Sequence, residues 1–233
     1  EPSSSNGGVA KKFGIKSNAN NVIIGETESS GNGSGLHIES RQTGRSGGAR
    51  IAQIGMKNDA GGNGQISFFT SPSGADVVER MTISSAGYVT TPYTVSFMAR
   101  GMTGSTYDSG TMTGLSSGHN VGNHYNSSTG VFTAPVAGRY LTGCGVLVQS
   151  GSGRLEGNIS LNNSTQIVNF NGTGTTYDGT VAICIVQMSA NDTLRVKRQS
   201  GNAYDSGHGN HYFFAHLLGL SLIHISEPTR QIR

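Results

Sequence analysis

Three short motifs, each in a separate predicted loop, carry the residue types best suited to binding chemistry. They are Tyr107-Asp108-Ser109-Gly110, Tyr177-Asp178-Gly179 and Tyr204-Asp205-Ser206-Gly207, and the third is followed by His208. A tyrosine offers an apolar ring with a polar tip, and a carboxylate accepts hydrogen bonds from hydroxyl groups. This mixture suits a glycan or another cell-surface receptor. Because Asp-Gly and Asp-Ser-Gly are also common turn sequences, each motif taken alone fits an ordinary turn better than a binding site.

Metal binding is an alternative role for the same loops, and two kinds of site are considered. His208 and His211 offer imidazole nitrogens, but no third ligand accompanies the pair in sequence. Asp108, Asp178 and Asp205 offer the oxygen ligands that Ca²⁺ prefers, without the signature of a calcium-binding loop. The sequence therefore predicts no cofactor and keeps Ca²⁺ as the alternative.

Catalytic motifs are missing from the sequence. There is no Gly-x-Ser-x-Gly elbow for a nucleophilic serine. Glu156 is the only glutamate between residues 94 and 219, so a carboxylate pair for glycoside cleavage would need loop aspartates. The Gly-rich stretch 31–35 lacks the lysine and the following helix of a phosphate-binding loop. We therefore predict that the protein is not an enzyme.

The composition predicts an all-β protein. The 233 residues include 36 glycines, only 12% are charged, and no window shows a sustained helical period. The net charge is +3, and the scattered Lys and Arg form no patch with aromatics of the kind that binds nucleic acid. The sequence contains no run of about 18 apolar residues, so it predicts no membrane-spanning helix.

The sequence of the first third of the chain predicts short strands with few large apolar residues to form a hydrophobic core. Residues 1–20 are rich in Ser, Asn and Gly and are interpreted as a linker or frayed start. Residues 21–92 form a β-rich segment that is poor in large apolar residues and marginal alone. We expect it to associate with copies of itself, as an intertwined or side-by-side homotrimer. Its predicted strands are 21–25, 36–39, 50–56, 65–70, 77–83 and 88–89.

Apolar residues are denser from residue 94 onward. Within 139–149, Tyr140, Cys144 and Val146 alternate with Leu141 and Leu147, which predicts a central strand covered on both faces. The two-sided character suggests that one face of this domain also packs against neighbouring subunits. The predicted strands are 94–100, 111–115, 124–126, 130–133, 139–149, 154–162, 166–171, 180–188, 193–199 and 211–219.

Residues 126–140 carry a specific pattern. It consists of Asn126, Gly130, Phe132, Ala134, Pro135, Gly138 and Tyr140, and Phe213 and Phe214 accompany it in the last predicted strand. The pattern resembles the globular head of complement component one q, a family that shares a ten-stranded jelly roll with tumour necrosis factor. The resemblance implies a C-terminal jelly-roll β-sandwich over 93–219, preceded by a short-stranded β shaft over 21–92.

A second resemblance lies just upstream. Residues 79–89 contain Glu-Arg-Met-x-Ile, followed by Gly87 and Val89, and resemble an element of phage tail-fibre proteins that often precedes such a head. The collagen triplets that accompany complement heads are lacking. Together the resemblances imply a trimeric virion component whose head binds a host-surface glycan or protein, with other virion proteins as partners. A purely structural trimerisation module and a polysaccharide-degrading tailspike remain alternatives.

Counting strands also places the three tyrosine motifs. Antiparallel strands alternate in direction, so a chain that enters at the first strand puts loops 101–110, 150–153, 172–179 and 201–210 at the end opposite to the shaft. All three motifs fall in these loops. The sequence therefore predicts one receptor-binding end.

Two further interpretations concern the cysteines and the last residues. In the resembled fold the strands of Cys144 and Cys184 are sheet neighbours, so a disulfide is one alternative. Two free thiols are favoured, because assembly inside a cell is reducing. Residues 220–230 are similar to the translation of a transposase sequencing adapter, so 220–233 are interpreted as an artefact and excluded from the fold. The lack of an initial Met suggests a fragment.

Overall fold

The structure is built almost entirely of antiparallel strands. It is a computed structural model that describes residues 13–16, 21–27, 35–42, 50–58, 63–72, 75–102, 107–108, 110–151, 153–174, 177–204 and 210–220. One short 3-10 turn at Val121–Asn123 interrupts the strands of this described part. The all-β prediction is confirmed. The chain divides into two compact units, Glu1–Tyr93 and Thr94–Arg233, here called the N-terminal and C-terminal units.

The N-terminal unit is a single seven-stranded sheet in which each strand pairs with the next along the chain. Its strands are β1 (Phe13–Lys16), β2 (Asn21–Thr27), β3 (Gly35–Gln42), β4 (Arg50–Asn58), β5 (Gly64–Thr70), β6 (Val78–Ile83) and β7 (Val89–Thr90). The first strand corrects the interpretation of residues 1–20 as linker throughout. Ladder pairing with β2 makes β1 a strand despite its polar flanks.

The two faces of this sheet differ in polarity. One face carries two cross-strand apolar rows, which are Ile38, Ile54, Phe68 and Met81, and Leu36, Met56, Ile66 and Ile83. The opposite face buries polar groups, and the hydroxyls of Ser67 and Thr82 lie 3.0 Å apart there. Ile38, Ile54 and Met56 remain exposed. The apolar face therefore lacks a covering layer within the described residues of this unit.

The C-terminal unit is a sandwich of two sheets. Its strands are β8 (Ser96–Met102), β9 (Tyr107–Asp108), β10 (Thr111–Met112), β11 (Leu115–Asn120), β12 (Tyr125–Asn126), β13 (Val131–Thr133), β14 (Gly138–Leu147), β15 (Leu155–Leu161), β16 (Thr165–Gly172), β17 (Gly179–Met188), β18 (Thr193–Ser200) and β19 (Tyr212–Leu220). One sheet has the order β11-β8-β19-β14-β17. In the other, β18 pairs with β13 and β10 and also with β15, which in turn pairs with β16. This arrangement confirms the predicted jelly-roll sandwich.

The strand count differs from the ten expected. The described residues of this unit form twelve strands. One additional strand is β9, and the other arises because the segment predicted over 111–115 divides at Gly114, whose φ is +76°. A positive φ interrupts a strand and suits glycine. The continuation, β11, has Leu115 as its single large apolar residue, so period-two patterning gave no signal for it. Its pairing with β8 makes it a strand.

An aromatic cluster joins the two sheets. Phe97 is 1% exposed, and its ring centroid lies 4.5 Å from that of Tyr125 and 5.0 Å from those of Phe132 and Phe213. Phe97 and Phe213 come from the sheet β11-β8-β19-β14-β17, whereas Tyr125 and Phe132 come from the other sheet of the sandwich. Stacked and edge-on rings at these distances add to the stability given by burial alone.

The strand β14 is central, as predicted, since it lies between β19 and β17. Its inward residues Tyr140, Cys144 and Val146 are buried. Its outward residues Leu141 and Leu147 are only half-buried, so the described residues of this unit do not supply the second covering layer. The last strand, β19, includes Leu220, which pairs with Gly138. The strand thus extends one residue into the excluded stretch, and residues 221–233 lie outside the described part.

Candidate functional site

The signature residues fix one turn and the core beneath it. The Asn126 side-chain oxygen accepts hydrogen bonds from the backbone N–H groups of Ser128 (3.0 Å) and Thr129 (3.2 Å). Gly130 has a φ of +67°, and a Cβ there would lie 2.1 Å from the Met112 carbonyl oxygen. Only glycine fits both the backbone conformation and the space. These residues are therefore explained by folding.

The rest of the signature joins this turn to β14. The buried Ala134 donates its backbone N–H to the Asp192 carbonyl at 2.8 Å. Pro135 follows it in the bend before β14. A Cβ on Gly138 would lie 2.6 Å from the Gly219 carbonyl oxygen. The Tyr140 hydroxyl donates to the Val136 carbonyl at 2.9 Å, which satisfies its polar tip while the ring is buried.

Strand register brings the predicted binding loops to one end of the C-terminal unit, here called the distal end. Gly145 pairs with Tyr212, which pairs with Arg100, so β8 and β14 run toward the end at which β19 begins. The start of β17 pairs with the end of β14. Main-chain hydrogen bonds join these loops, from Val148 N–H to the Asp178 carbonyl and from Gln149 N–H to the Asn202 carbonyl. The end opposite to Thr94 thus carries several connected loops.

Two of the three predicted tyrosines meet at the distal end. The ring centroids of Tyr177 and Tyr204 lie 4.7 Å apart at an interplanar angle of 71°. Tyr177 is 56% exposed, whereas Tyr204 is half-buried and its N–H donates to the Leu147 carbonyl at 2.8 Å. The Asp178 carboxylate accepts a hydrogen bond from the Thr173 hydroxyl. An aromatic surface can stack on a sugar ring, and a carboxylate beside it can accept hydrogen bonds from the sugar hydroxyls.

The other candidates are placed less fully. Tyr107 and Asp108 form β9, which pairs with β10. Asp205 and His208 lie outside the described residues, so the part of the third motif after Tyr204 and the calcium alternative are not tested. His211 is fully buried, and its Nε2 lies 2.5 Å from the Tyr204 carbonyl oxygen. Within the described ranges, no group of three or more His, Cys, Asp or Glu side chains comes together as a metal site.

The five-stranded sheet has an apolar surface on its outer side. The site residues predicted from the sequence include none of the residues that form it. Val181, Ile183 and Ile185 of β17 are 55%, 56% and 60% exposed. Here this surface is called the outer apolar face, and it includes their β14 and β19 neighbours Leu141, Gly143, Gly145, Tyr212 and Phe214. The detectable signal was the alternation within β17, where inward Ala182, Cys184 and Val186 separate three outward β-branched residues.

Glycines flatten this outer apolar face. A Cβ on Gly145 would lie 2.2 Å from the Tyr212 ring, and one on Gly143 would lie 2.7 Å from the Phe214 ring. The two aromatic rings therefore lie over glycine backbone. Because no other side chain at these two positions leaves that space free, the glycines are needed for a smooth apolar surface.

Both cysteines are free thiols, as favoured by the sequence. Cys144 pairs across the ladder with Ala182, and Cys184 pairs with Thr142, so the two cysteines are diagonal neighbours. Burial raises the pKa of the Cys144 thiol to about 12, and burial also raises the pKa of Cys184. The reactive thiolate is therefore suppressed at both positions, and most strongly at Cys144.

We expect the native chain to show sharply unequal thiol reactivity. With a chromogenic disulfide reagent at pH 8, Cys184 should react slowly and Cys144 should react only after unfolding. Single Cys144→Ser and Cys184→Ser variants assign the two phases. Equal native rates for both thiols would contradict the burial of Cys144.

In the described part of the chain, no helix is long and apolar enough to cross a membrane. No family model matches the chain, and no curated protein matches it in sequence.

Among solved structures, the chain is similar to a globular domain of zebrafish complement 1qA protein. The identity is 15% and the TM-score 0.45, over 55% of this chain and 99% of the other. It is also similar to murine APRIL (15% identity, TM-score 0.42, 52% and 99% coverage). A third similar structure is Eiger TNF from S. frugiperda (11% identity, TM-score 0.43, 60% and 99% coverage). At these values, nothing about ligands, partners or activity follows.

Proposed function

We propose that this chain is a virion protein of the tail-fibre type. It forms homotrimers, and the distal end of its C-terminal unit binds a glycan or protein on the host surface. Its place is in a tail fibre or appendage, beside other virion proteins, and it binds without catalysing a reaction. The contact between the exposed Tyr177 and the half-buried Tyr204 carries the receptor role, and the phage-like segment before residue 90 supports the virion context.

The outer apolar face supports self-association. In the single chain, three aliphatic side chains of one edge strand stand more than half exposed beside Leu141 and Phe214. Full burial of each such side chain is worth about 1.5–3 kcal/mol relative to exposure. Contiguous exposed apolar surface of this kind marks an interaction site.

A second copy of this chain is the partner that fits best. The N-terminal unit also presents an apolar face without a covering layer in its described part. In a closed homo-oligomer, identical copies can bury the apolar face of each unit, so no separate partner is needed for either face.

The receptor role depends on the tyrosine pair. Aromatic side chains often dominate binding energy, because they bury a large area at low entropic cost. Here the two rings support each other and both belong to loops that main-chain hydrogen bonds hold together. The surface is therefore preformed, which reduces the ordering cost of binding.

We expect the double variant Tyr177→Ala, Tyr204→Ala to bind host cells at least tenfold more weakly. The Tyr204 backbone bonds are kept, so the unfolding temperature should change by no more than a few degrees. The measurement is binding of the fluorescently labelled chain to host bacteria. Tyr88→Ala is the matched control, since Tyr88 is an exposed tyrosine of the N-terminal unit. Unchanged binding by the double variant would rule out the distal end as the receptor site.

The outer apolar face also favours a second candidate, in which the C-terminal unit serves only as a trimerisation module. Virions whose fibre ends before residue 94 distinguish the two functions. Normal adsorption by such virions would support the purely structural function. Loss of adsorption together with an intact trimeric shaft would support receptor binding.

A further inference from the structure

A polar pocket lies in the C-terminal unit, on the outward side of the sheet that contains β15, β16 and β18, away from the tyrosine pair. It has a volume of about 280 Å³. Its lining comes from β15, β16, β18, the turn between β15 and β16, and Gly110 before β10. It includes the side chains of Asn158, Ser160, Gln166, Lys197, Arg198 and Gln199. Its volume is close to the lower end of the roughly 300–1,000 Å³ typical of small-molecule sites.

The floor of the pocket is unusual for an outward position. Asn158 is 2% exposed and Ser160 is 1% exposed, although their neighbour Ile159 points into the core. Asn158 is the cross-strand partner of Lys197. The Lys197 ammonium donates to the Asn163 carbonyl at 3.3 Å, so this side chain reaches the turn beside the pocket. The outward residues are therefore buried in a recess of the sheet face.

Asn158 has an unmet hydrogen-bond acceptor in this recess. Its side-chain oxygen is buried and accepts no hydrogen bond in the structure. A buried acceptor without a partner destabilises the fold, and such groups are rare. An apolar residue of similar size would avoid that cost. The presence of Asn158 at this position is explained if a ligand donates a hydrogen bond to its side-chain oxygen.

The remaining lining indicates the chemistry of that ligand. The amides of Gln166 and Gln199 and the Ser160 hydroxyl can both donate and accept hydrogen bonds. The Lys197 ammonium has three N–H groups, and among the described residues no carboxylate pairs with it. Arg198 also lines the pocket, but its guanidinium already donates to the Gly201 carbonyl and the Asn202 side-chain oxygen. Hydroxyl-recognising groups beside the Lys197 cation fit a polyhydroxylated molecule that bears a negative charge.

We propose that this pocket binds a single acidic sugar of the hexuronic acid class. One ring hydroxyl donates to the Asn158 side-chain oxygen, and the sugar carboxylate pairs with Lys197. The site is separate from the Tyr177–Tyr204 pair and supplies an independent contact with an acidic polysaccharide.

The test measures binding of D-glucuronate and D-glucose to the full chain by titration calorimetry. Wild-type protein should bind glucuronate in the millimolar range and glucose about tenfold more weakly. Lys197→Met should remove that preference, and Asn158→Leu should abolish saturable binding while the unfolding temperature stays equal or rises. Asn171→Leu is the matched control, because Asn171 is an exposed residue of β16 outside the pocket.

Two results would overturn the proposal. One is the absence of saturable glucuronate binding by the wild-type chain. The other is an Asn158→Leu chain that binds glucuronate normally or melts several degrees lower, since Asn158 would then have a structural role. Either result leaves the cell-binding experiment on the tyrosine pair unaffected, because the two sites share no residue.

Discussion

Ile183→Glu is expected to convert a trimer of this chain into monomers. Ile183 is at the centre of the outward row of β17, with Gly143 beside it and Phe214 on the next strand. A carboxylate buried there between copies would lose its hydration without gaining a charged partner. The free monomer should fold normally, because the position is exposed in the single chain. Light scattering after size-exclusion chromatography should show a threefold fall in molar mass.

Two controls separate the interface from the added charge. Ile183→Val keeps an apolar residue and should remain trimeric. Thr165→Glu adds the same charge at an exposed position of β16, in the other sheet, and should also remain trimeric. A wild-type chain that is a monodisperse monomer would end the trimer proposal. A trimeric Ile183→Glu chain would show that the copies use another surface.

Phe97→Ala is expected to give the largest loss of stability, about 3–5 kcal/mol in the free energy of unfolding. The substitution removes the ring that contacts aromatic residues of both sheets, within 5.0 Å of three other ring centroids. A cavity at this position leaves Tyr125 and Phe132 without a stacking partner. Urea unfolding at a fixed protein concentration measures the effect.

Val136→Ala is the matched control for this loss. Val136 is an apolar residue of the same unit but is exposed, so its truncation should cost no more than about 0.5 kcal/mol. A loss below about 1 kcal/mol for Phe97→Ala would mean that the two sheets are held together elsewhere. Equal losses for both variants would contradict the assigned core.

Much of the fold follows from local sequence features. The turn after β15 has Asn162 and Asn163 with positive φ, and Asn191 has a positive φ before β18. Asn adopts this conformation more readily than most residues, so these turns could be identified from residue type alone. Period-two alternation then located nearly all the strands between them. The exceptions are β1, β9 and β11, which are short or polar and depend on pairing with a neighbouring strand.

The arrangement of the distal end was predictable only in part. Alternating strand direction placed the loops of Tyr177 and Tyr204 together, because the direction of each strand follows from its order in the chain. The ring contact itself required the tertiary structure, since the two residues lie far apart in sequence. His211 shows the reverse case. A histidine suggested as a metal ligand is buried beneath the loop and its ring lies against the Tyr204 carbonyl.

The sequence by itself determined the β class, the turns and the candidate tyrosine motifs, because each depends on residues that are close along the chain. The tertiary structure decided which surfaces remain uncovered and which polar groups become buried. Val181, Ile183 and Ile185 look like ordinary strand residues until the sheet order places β17 at an edge with its outer side bare. Asn158 likewise looks like a solvent-facing residue until pairing on both sides encloses it. Exposure depends on which distant strands pair, and no local pattern encodes that pairing.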